Sequence, residues 1–145
     1  MKIEIQEGFT ATEVIIKCST ITEEIRKMET LLLHGFEPKL SGIKAGATHL
    51  IDKQDIFYFE SVDKQTFLYT QDDVYKIALK LYEIENILTD FGFFRNSKSQ
   101  IVNIAKIESL RPDFDGRMEL LLKNNEKVIV SRQYAKILKE RLGLT

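Results

Sequence analysis

The chain has 145 residues, of which 43% are hydrophobic and 30% are charged, and its formal net charge is −1. This balance is typical of a folded protein and excludes a disordered one, and the single cysteine excludes an internal disulfide. No apolar run approaches the ~20 residues of a membrane helix, and the first residues lack the apolar core of a secretory signal. We therefore expect a cytoplasmic protein with no direct membrane insertion.

The charges are unevenly distributed along the chain. Residues 47–90 contain 4 Lys and Arg against 9 Asp and Glu, whereas residues 91–145 contain 11 against 6. A chain polarised in this way can present a basic face although its total charge is near zero. Binding to nucleic acid depends on local cations, so the near-neutral total does not exclude it. The alternative explanation of the uneven distribution is that surface charges are scattered along the chain by chance.

The first part of the chain predicts a short strand and a helix. The segment from Val14 to Cys18 is mostly β-branched, which favours a buried strand. Thr20 and Glu23 have the spacing of a capping box, and apolar residues follow at helical intervals. Gly35 is placed to end this helix, because glycine readily adopts the left-handed conformation.

Short strands dominate from residue 40 onward. We expect one around Leu40 to Lys44, aromatic-rich strands at residues 56–59 and 67–69, and another at residues 74–77. The polar segment from Ser61 to Thr66 is expected to be the loop of a hairpin.

A second helix is predicted from Leu81, Ile84 and Leu88, which share one helical face, and Gly92 ends that region. Residues 100–110 predict one strand, or two strands with a bend. Asp115-Gly116 is a turn signal, and a further hairpin is expected from strands at residues 118–122 and 127–130.

The last helix is predicted over Gln133 to Leu142, with Ser131 able to cap its first turn. Tyr134 and either Ile137 or Leu138 should face the core. Because most of the last hundred residues are short strands, the predicted fold is β-rich, with α+β content.

The strongest functional signal is the sequence FFRNSKSQIVN at residues 93–103, a polar turn between two apolar strands. Two cations, an amide and hydroxyl groups occur within five residues, and such groups bond phosphate oxygens and base edges. The residues concerned are Arg95, Asn96, Ser97, Lys98 and Ser99. By composition alone, an ordinary solvated turn is the alternative.

A second signal lies about thirty residues later, where a strand leads through Ser131 and Arg132 into the last helix. Arginine is the residue best able to bond guanine with two hydrogen bonds, and an exposed helix start can enter a groove. A surface arginine beside a helix cap is the alternative.

Together, these two segments resemble the DNA-binding domain of the LytTR family of bacterial transcription regulators. The matching residues are Phe94, Arg95, Ser99, Ile101, Val102 and Asn103 in the first segment, and Ser131, Arg132 and Tyr134 in the second. Ser97 stands where a histidine is common in the family, and Asn103 is expected to tie the strand end to nearby backbone. The resemblance covers about residues 48–145 and implies an elongated antiparallel β-sandwich with two short helices.

The resemblance also implies the site. Arg132 would contact a base, the turn around Ser97–Ser99 and the region of Arg132 would enter successive major grooves, and Lys98 and Lys136 would hold phosphates. In the family, the earlier hairpin loop reaches an adjacent groove, which adds Lys64, Gln65 and Thr66 to the candidate DNA contacts. The partner would be double-stranded DNA, bound by a homodimer or by paired monomers on repeated half-sites, with bending of the DNA. Stand-alone members of the family often act beside a membrane protein.

Residues 1–46 lie outside the resemblance and are predicted to be a small strand–helix–strand extension, with the DNA-binding domain at residues 47–145. The extension is too short for a receiver domain.

We expect neither an enzyme nor a cofactor or metal. The sequence contains no glycine-rich phosphate loop and no metal-ligand spacing, and Cys18 is expected to be buried in the first strand. The alternative function is a protein-interaction or small-ligand-sensing module that uses the aromatic strands at Phe57–Phe59 and Phe67–Tyr69 as its surface. Steep salt dependence of binding would distinguish DNA binding from this alternative.

Overall fold

The computed structural model describes residues 1–34 and 39–144. The chain divides into two compact units, Met1–Phe36 and Glu37–Thr145. Among the described residues, no helix combines the length and apolar character needed to cross a membrane.

Within its described residues, the first unit contains one helix, α1 (Glu23–His34). The predicted helix is confirmed, but Thr22 rather than Thr20 caps it: its Oγ1 accepts a hydrogen bond from the Ile25 N–H at 3.3 Å. The predicted helix stop at Gly35 lies outside the described residues.

The strand predicted at Val14–Cys18 is wrong. No described segment pairs with these residues, and both Val14 and Ile15 are exposed. Cys18 is exposed as well, so the prediction of a buried cysteine is also wrong. A β-branched run favours a strand only where a neighbouring strand offers hydrogen bonds and a packing surface, and here it has neither.

The second unit contains ten strands and two helices in its described part. The strands are β1 (Lys39–Lys44), β2 (Ala47–Asp52), β3 (Tyr58–Val62), β4 (Gln65–Tyr69), β5 (Val74–Ile77), β6 (Phe93–Ser97), β7 (Gln100–Asn103), β8 (Ile107–Pro112), β9 (Met118–Leu122) and β10 (Lys127–Val130). The helices are α2 (Leu81–Leu88) and α3 (Arg132–Arg141).

These strands form two antiparallel sheets. The larger has the order β2-β1-β5-β4-β3-β7-β6, and the smaller has the order β10-β9-β8. The predicted β-rich fold with short helices is confirmed.

The predicted boundary between the N-terminal extension and the DNA-binding domain, after residue 46, lies at the end of the turn between β1 and β2. Six residues of β1 pair with β2, and Ile43 also pairs with Lys76 of β5. Residues 39–44 are therefore part of the larger sheet, and the compact unit that contains the sheet starts earlier in the chain than the predicted domain.

Two apolar cores lie on opposite faces of the larger sheet, because successive side chains of a strand point to opposite sides. Phe93 and Ile101 belong to the core that α2 covers, whereas their neighbours Phe94 and Val102 belong to the core that the smaller sheet and α3 cover. The predicted buried residues of α2 are confirmed. In α3, Leu138 is buried and Ile137 is exposed.

Residues 100–110 form two strands with a bend, one of the two predicted arrangements. β7 and β8 are separated by a short turn and belong to different sheets. Asn103 holds this bend: its Nδ2 donates to the Ile56 carbonyl at 2.8 Å, and its Oδ1 accepts from the Ala105 N–H at 3.1 Å. The predicted structural role of Asn103 is confirmed.

Candidate nucleic-acid interface

Three segments that are distant in sequence meet at one end of the larger sheet. Because β3 and β7 are antiparallel, the end of β3 lies beside the start of β7, and the Ser61 N–H donates to the Ser99 carbonyl at 2.8 Å. The Ser131 N–H donates to the Asn96 carbonyl at 3.0 Å, which brings the start of α3 to the same end. The β3–β4 turn, the β6–β7 turn and the first residues of α3 are thus neighbours.

Arg95 holds the β6–β7 turn from inside. Its Nε donates to the Ser97 carbonyl at 2.8 Å, and its Nη2 donates to the Lys98 carbonyl at 2.6 Å. Its Nη1 lies 3.5 Å from Glu85 Oε1, and only 18% of the side chain is exposed. These contacts use the guanidinium to fix the turn and leave little of it to face a ligand.

Asn96 is wholly buried, which places its side chain away from the surface where a DNA contact was predicted. Its Nδ2 donates to Gln100 Oε1 at 2.7 Å and to the Ile129 carbonyl at 3.1 Å. Gln100 Nε2 in turn donates to Glu60 Oε2 at 3.1 Å. This network ties β10, β6, β7 and β3 together behind the turn. Among the described groups, Asn96 Oδ1 has no hydrogen-bond partner.

The tip of the β6–β7 turn is available to solvent. Lys98 and Ser99 are exposed and Ser97 is half-buried. The Ser97 Oγ accepts from the Ser99 N–H at 3.2 Å and lies 3.5 Å from the Ser99 Oγ. The turn therefore presents an ammonium group and two hydroxyls on a backbone that Arg95 fixes.

Arg132 faces the same surface depression as Lys98. The depression has a volume of about 310 Å³, and Ser131 and Gln133 complete its lining. Arg132 is the first residue of α3 and is exposed, and Lys136 lies one turn later on the same helical face. The structure thus brings together Lys98, Ser131 and Arg132, as the sequence predicted, and adds Gln133.

Ser131 precedes α3 but does not cap it through its side chain as predicted. Its Oγ instead lies 3.5 Å from the Asn96 carbonyl, which its own N–H also contacts. The residue therefore fastens the helix start to β6.

The β3–β4 hairpin is tighter than predicted. Its turn consists of Asp63 and Lys64, both with positive φ (50° and 66°), instead of the six-residue loop from Ser61 to Thr66. This is the two-residue turn that matches the twist of antiparallel strands. Lys64 and Gln65 are exposed, but Thr66 is buried within β4, where it cannot serve as the predicted surface contact.

Sequence reasoning missed two residues of this surface. Gln133 follows the predicted arginine directly, so its position beside that residue was the available signal. Gly116 was recognised only as part of a turn, yet it lies so close to the Arg132 side chain that an added Cβ would stand 2.9 Å from Arg132 Cγ and Cδ. A contact between a turn and a distant helix start has no signature in local sequence.

The aromatic strands of the alternative interpretation are turned largely inward. Phe57, Tyr58 and Phe59 are buried, and Phe67 and Tyr69 are half-buried, so the two strands offer little aromatic surface to a partner. No group of three or more His, Cys, Asp or Glu side chains in the described part of the chain is arranged to hold a metal ion.

An antiparallel β fold that presents lysine and arginine on turns and at a helix start is a scaffold suited to nucleic acid. The LytTr DNA-binding domain model matches residues 46–143, and the chain belongs to this family. A solved LytTr DNA-binding domain from Bacillus cereus superposes with a TM-score of 0.71 at 26% identity, covering 76% of this chain and all of that domain.

Two curated relatives are similar over the same part of the chain. The sensory transduction protein LytT of Enterococcus faecalis is 34% identical over 97 residues, which are 67% of this chain and 40% of the relative. An uncharacterised HTH-type transcriptional regulator of Staphylococcus aureus (strain NCTC 8325) is 36% identical over 96 residues, 66% of this chain and 65% of the relative. The matched region thus spans less than two thirds of either relative.

Proposed function

We propose that this chain is a sequence-specific regulator of transcription that reads the major groove of double-stranded DNA. The reading elements are the β6–β7 turn, the β3–β4 turn and the start of α3. The observation that carries the proposal is the meeting of Lys98 and Arg132 in one exposed depression, within the part of the chain that matches a DNA-binding family. These two cations come from segments that only the fold brings together.

The exposed residues divide by chemistry. Arg132 is the proposed base reader, because a guanidinium can bond guanine O6 and N7 together. Lys64, Lys98 and Lys136 are proposed to hold phosphates. The neutral polar groups nearby would add hydrogen bonds to the backbone or to base edges; they are Gln65, Ser97, Ser99, Ser131 and Gln133.

Three of the predicted contact residues receive supporting roles in this proposal. Arg95 fixes the backbone of the β6–β7 turn, Asn96 joins that turn to β10, and Thr66 packs within β4. Their effect on DNA would be indirect, through the shape of the surface.

The assembly on DNA is proposed to be a homodimer, or paired monomers on half-sites about one helical turn apart, with bending of the duplex. We assign DNA binding to the unit that follows residue 36 and leave the first unit outside the proposed contact. A regulator of this kind works beside the chromosome, which makes the cytoplasm its proposed location, and a membrane protein is a proposed upstream partner.

The direct test is selection from a pool of random duplexes at moderate salt, followed by sequencing of the survivors. We expect enrichment of a repeated motif with a half-site spacing of about one helical turn, ~10–10.5 base pairs. Absence of binding even at low salt would contradict the proposal and favour a protein-interaction module.

A further inference from the structure

The turn between β8 and β9 lies under the side chain of Arg132. Asp115 and Gly116 have φ values of 63° and 79°, the left-handed region. A Cβ on Gly116 would lie 2.9 Å from both Cγ and Cδ of Arg132, closer than real Cβ contacts. The aliphatic stem of Arg132 therefore crosses the one residue of this turn that has no side chain.

The turn is well fixed as a platform. The Asp113 N–H donates to the Arg117 carbonyl at 2.9 Å, and Arg117 Nε donates to the Phe114 carbonyl at 3.2 Å. Pro112 and Met118 continue the pairing of β8 with β9 directly outside the turn. An arginine stem rotates more easily than this backbone moves, so a Cβ at residue 116 would displace Arg132.

Little else restrains Arg132. In the described part of the chain, its guanidinium has no hydrogen-bond or ion-pair partner. A free arginine populates many rotamers, and ordering such a side chain on binding opposes affinity. The open space at Gly116 accommodates the Arg132 stem in the conformation that the structure shows, and a Cβ at residue 116 would exclude that conformation.

We infer that Gly116 is a positioning residue for the DNA-reading Arg132. It acts by leaving room for the arginine stem on a fixed turn, so that the guanidinium is already directed outward from the start of α3. This inference rests on the proposed base-reading role of Arg132. It adds the β8–β9 turn to the elements that determine sequence preference, although this turn carries no proposed DNA contact.

The test compares Gly116→Ala with Gly46→Ala, using a duplex obtained by the selection described above and a scrambled duplex. Gly46 is a matched control: it has φ of 76°, it follows Ala45 at φ 51° in a two-residue turn, and an added Cβ there meets nothing within 4 Å. Both variants therefore carry similar backbone strain, but only Gly116→Ala disturbs Arg132.

We expect Gly116→Ala to weaken binding to the selected duplex about tenfold, the scale of one base contact. Binding to the scrambled duplex should be unchanged, and Gly46→Ala should bind both duplexes as the parent does.

A double-mutant cycle with Arg132→Ala separates positioning from general damage. If Gly116 acts through Arg132, Gly116→Ala should cause no further loss of affinity in the Arg132→Ala background. An equal loss in both backgrounds would overturn the inference, as would parent-like binding by Gly116→Ala while Arg132→Ala binds weakly. Parent-like binding by Arg132→Ala would instead show that the base-reading role itself is wrong, and the positioning role would fall with it.

Gly116→Asn guards against failure of the alanine variant to fold. Asparagine tolerates the left-handed region better than alanine, yet its Cβ occupies the same place against Arg132. Thermal unfolding of each variant shows whether the fold is retained. A folded Gly116→Asn protein with parent-like affinity and base preference would also overturn the inference.

Discussion

At the scale of single residues, the polar side chains of the candidate interface divide into exposed and supporting groups. Lys98 and Arg132 are exposed, whereas Asn96 is buried and Arg95 is turned back onto its own turn. The two motifs and the family resemblance identified all four as candidates, but they indicate the chemistry of a side chain and not its orientation. Which of them can reach a ligand depends on hydrogen bonds to backbone groups, and a local sequence pattern does not reveal these.

Lys98→Ala should weaken binding to selected and scrambled duplexes by the same factor, because a phosphate contact carries no base information. The slope of log K against log salt should become shallower by about 1, which a fluorescence titration at several salt concentrations measures. Lys123→Ala is the control. This exposed lysine lies in the turn between β9 and β10, whereas Ser131 follows the other end of β10. A loss confined to the selected duplex would contradict the phosphate role.

Asn96→Ala should lower the free energy of unfolding by about 1–3 kcal/mol, because Gln100 Oε1 and the Ile129 carbonyl would lose their donor. Urea denaturation measures this change. Asn86 is an exposed asparagine on α2, so Asn86→Ala should change stability by less than about 0.5 kcal/mol. A parent-like midpoint for Asn96→Ala would show that the buried network contributes nothing to the fold.

At the scale of elements, periodicity predicted most strands and helices of the second unit. Apolar residues at helical spacing identified α2 and its three buried residues. Turn lengths were predicted less well: the six residues read as a loop around Asp63-Lys64 are mostly strand. A polar segment is easily taken for a loop even where the strand continues, because the end of a strand can have one face in contact with solvent.

The position of α3 depends on Leu138, which is wholly buried in the core beneath the candidate interface. Leu138→Ala should destabilise the protein by about 2–5 kcal/mol, the usual cost of a large-to-small change in a core. Ile137→Ala, one residue away on the exposed side, should have little effect. Thermal unfolding of both variants tests this pair, and equal destabilisation would contradict the described orientation of the helix.

At the scale of the whole molecule, the near-neutral total charge is the sum of an acidic segment, residues 47–90, and a basic segment, residues 91–145. We expect strong salt dependence despite the net charge of −1, because each phosphate contact contributes a slope of about −0.9 in log K against log salt. Three lysines at phosphates would give a slope near −3 per protomer on this basis. Affinity that hardly changes with salt would indicate an apolar interface instead of a DNA-binding one.

The sequence predicted the overall architecture more completely than it predicted the arrangement of the site. The family resemblance and the strand pattern anticipated the β-rich fold, whereas Val14–Cys18 lacked the partner strand that its composition favoured. The link between Gly116 and Arg132 could not be predicted, since it joins two segments through the tertiary fold alone.

The most direct test of the base-reading role is the affinity of Arg132→Ala and Arg132→Lys for a selected duplex and its single-base variants. We predict that Arg132→Ala loses about 1–3 kcal/mol on the selected duplex and no longer discriminates at one base pair of each half-site. Arg132→Lys should keep binding to scrambled DNA but lose most of that discrimination, because an ammonium group cannot form the paired hydrogen bonds of a guanidinium. Parent-like affinity and base preference in both variants would contradict the assignment of Arg132 as the base reader.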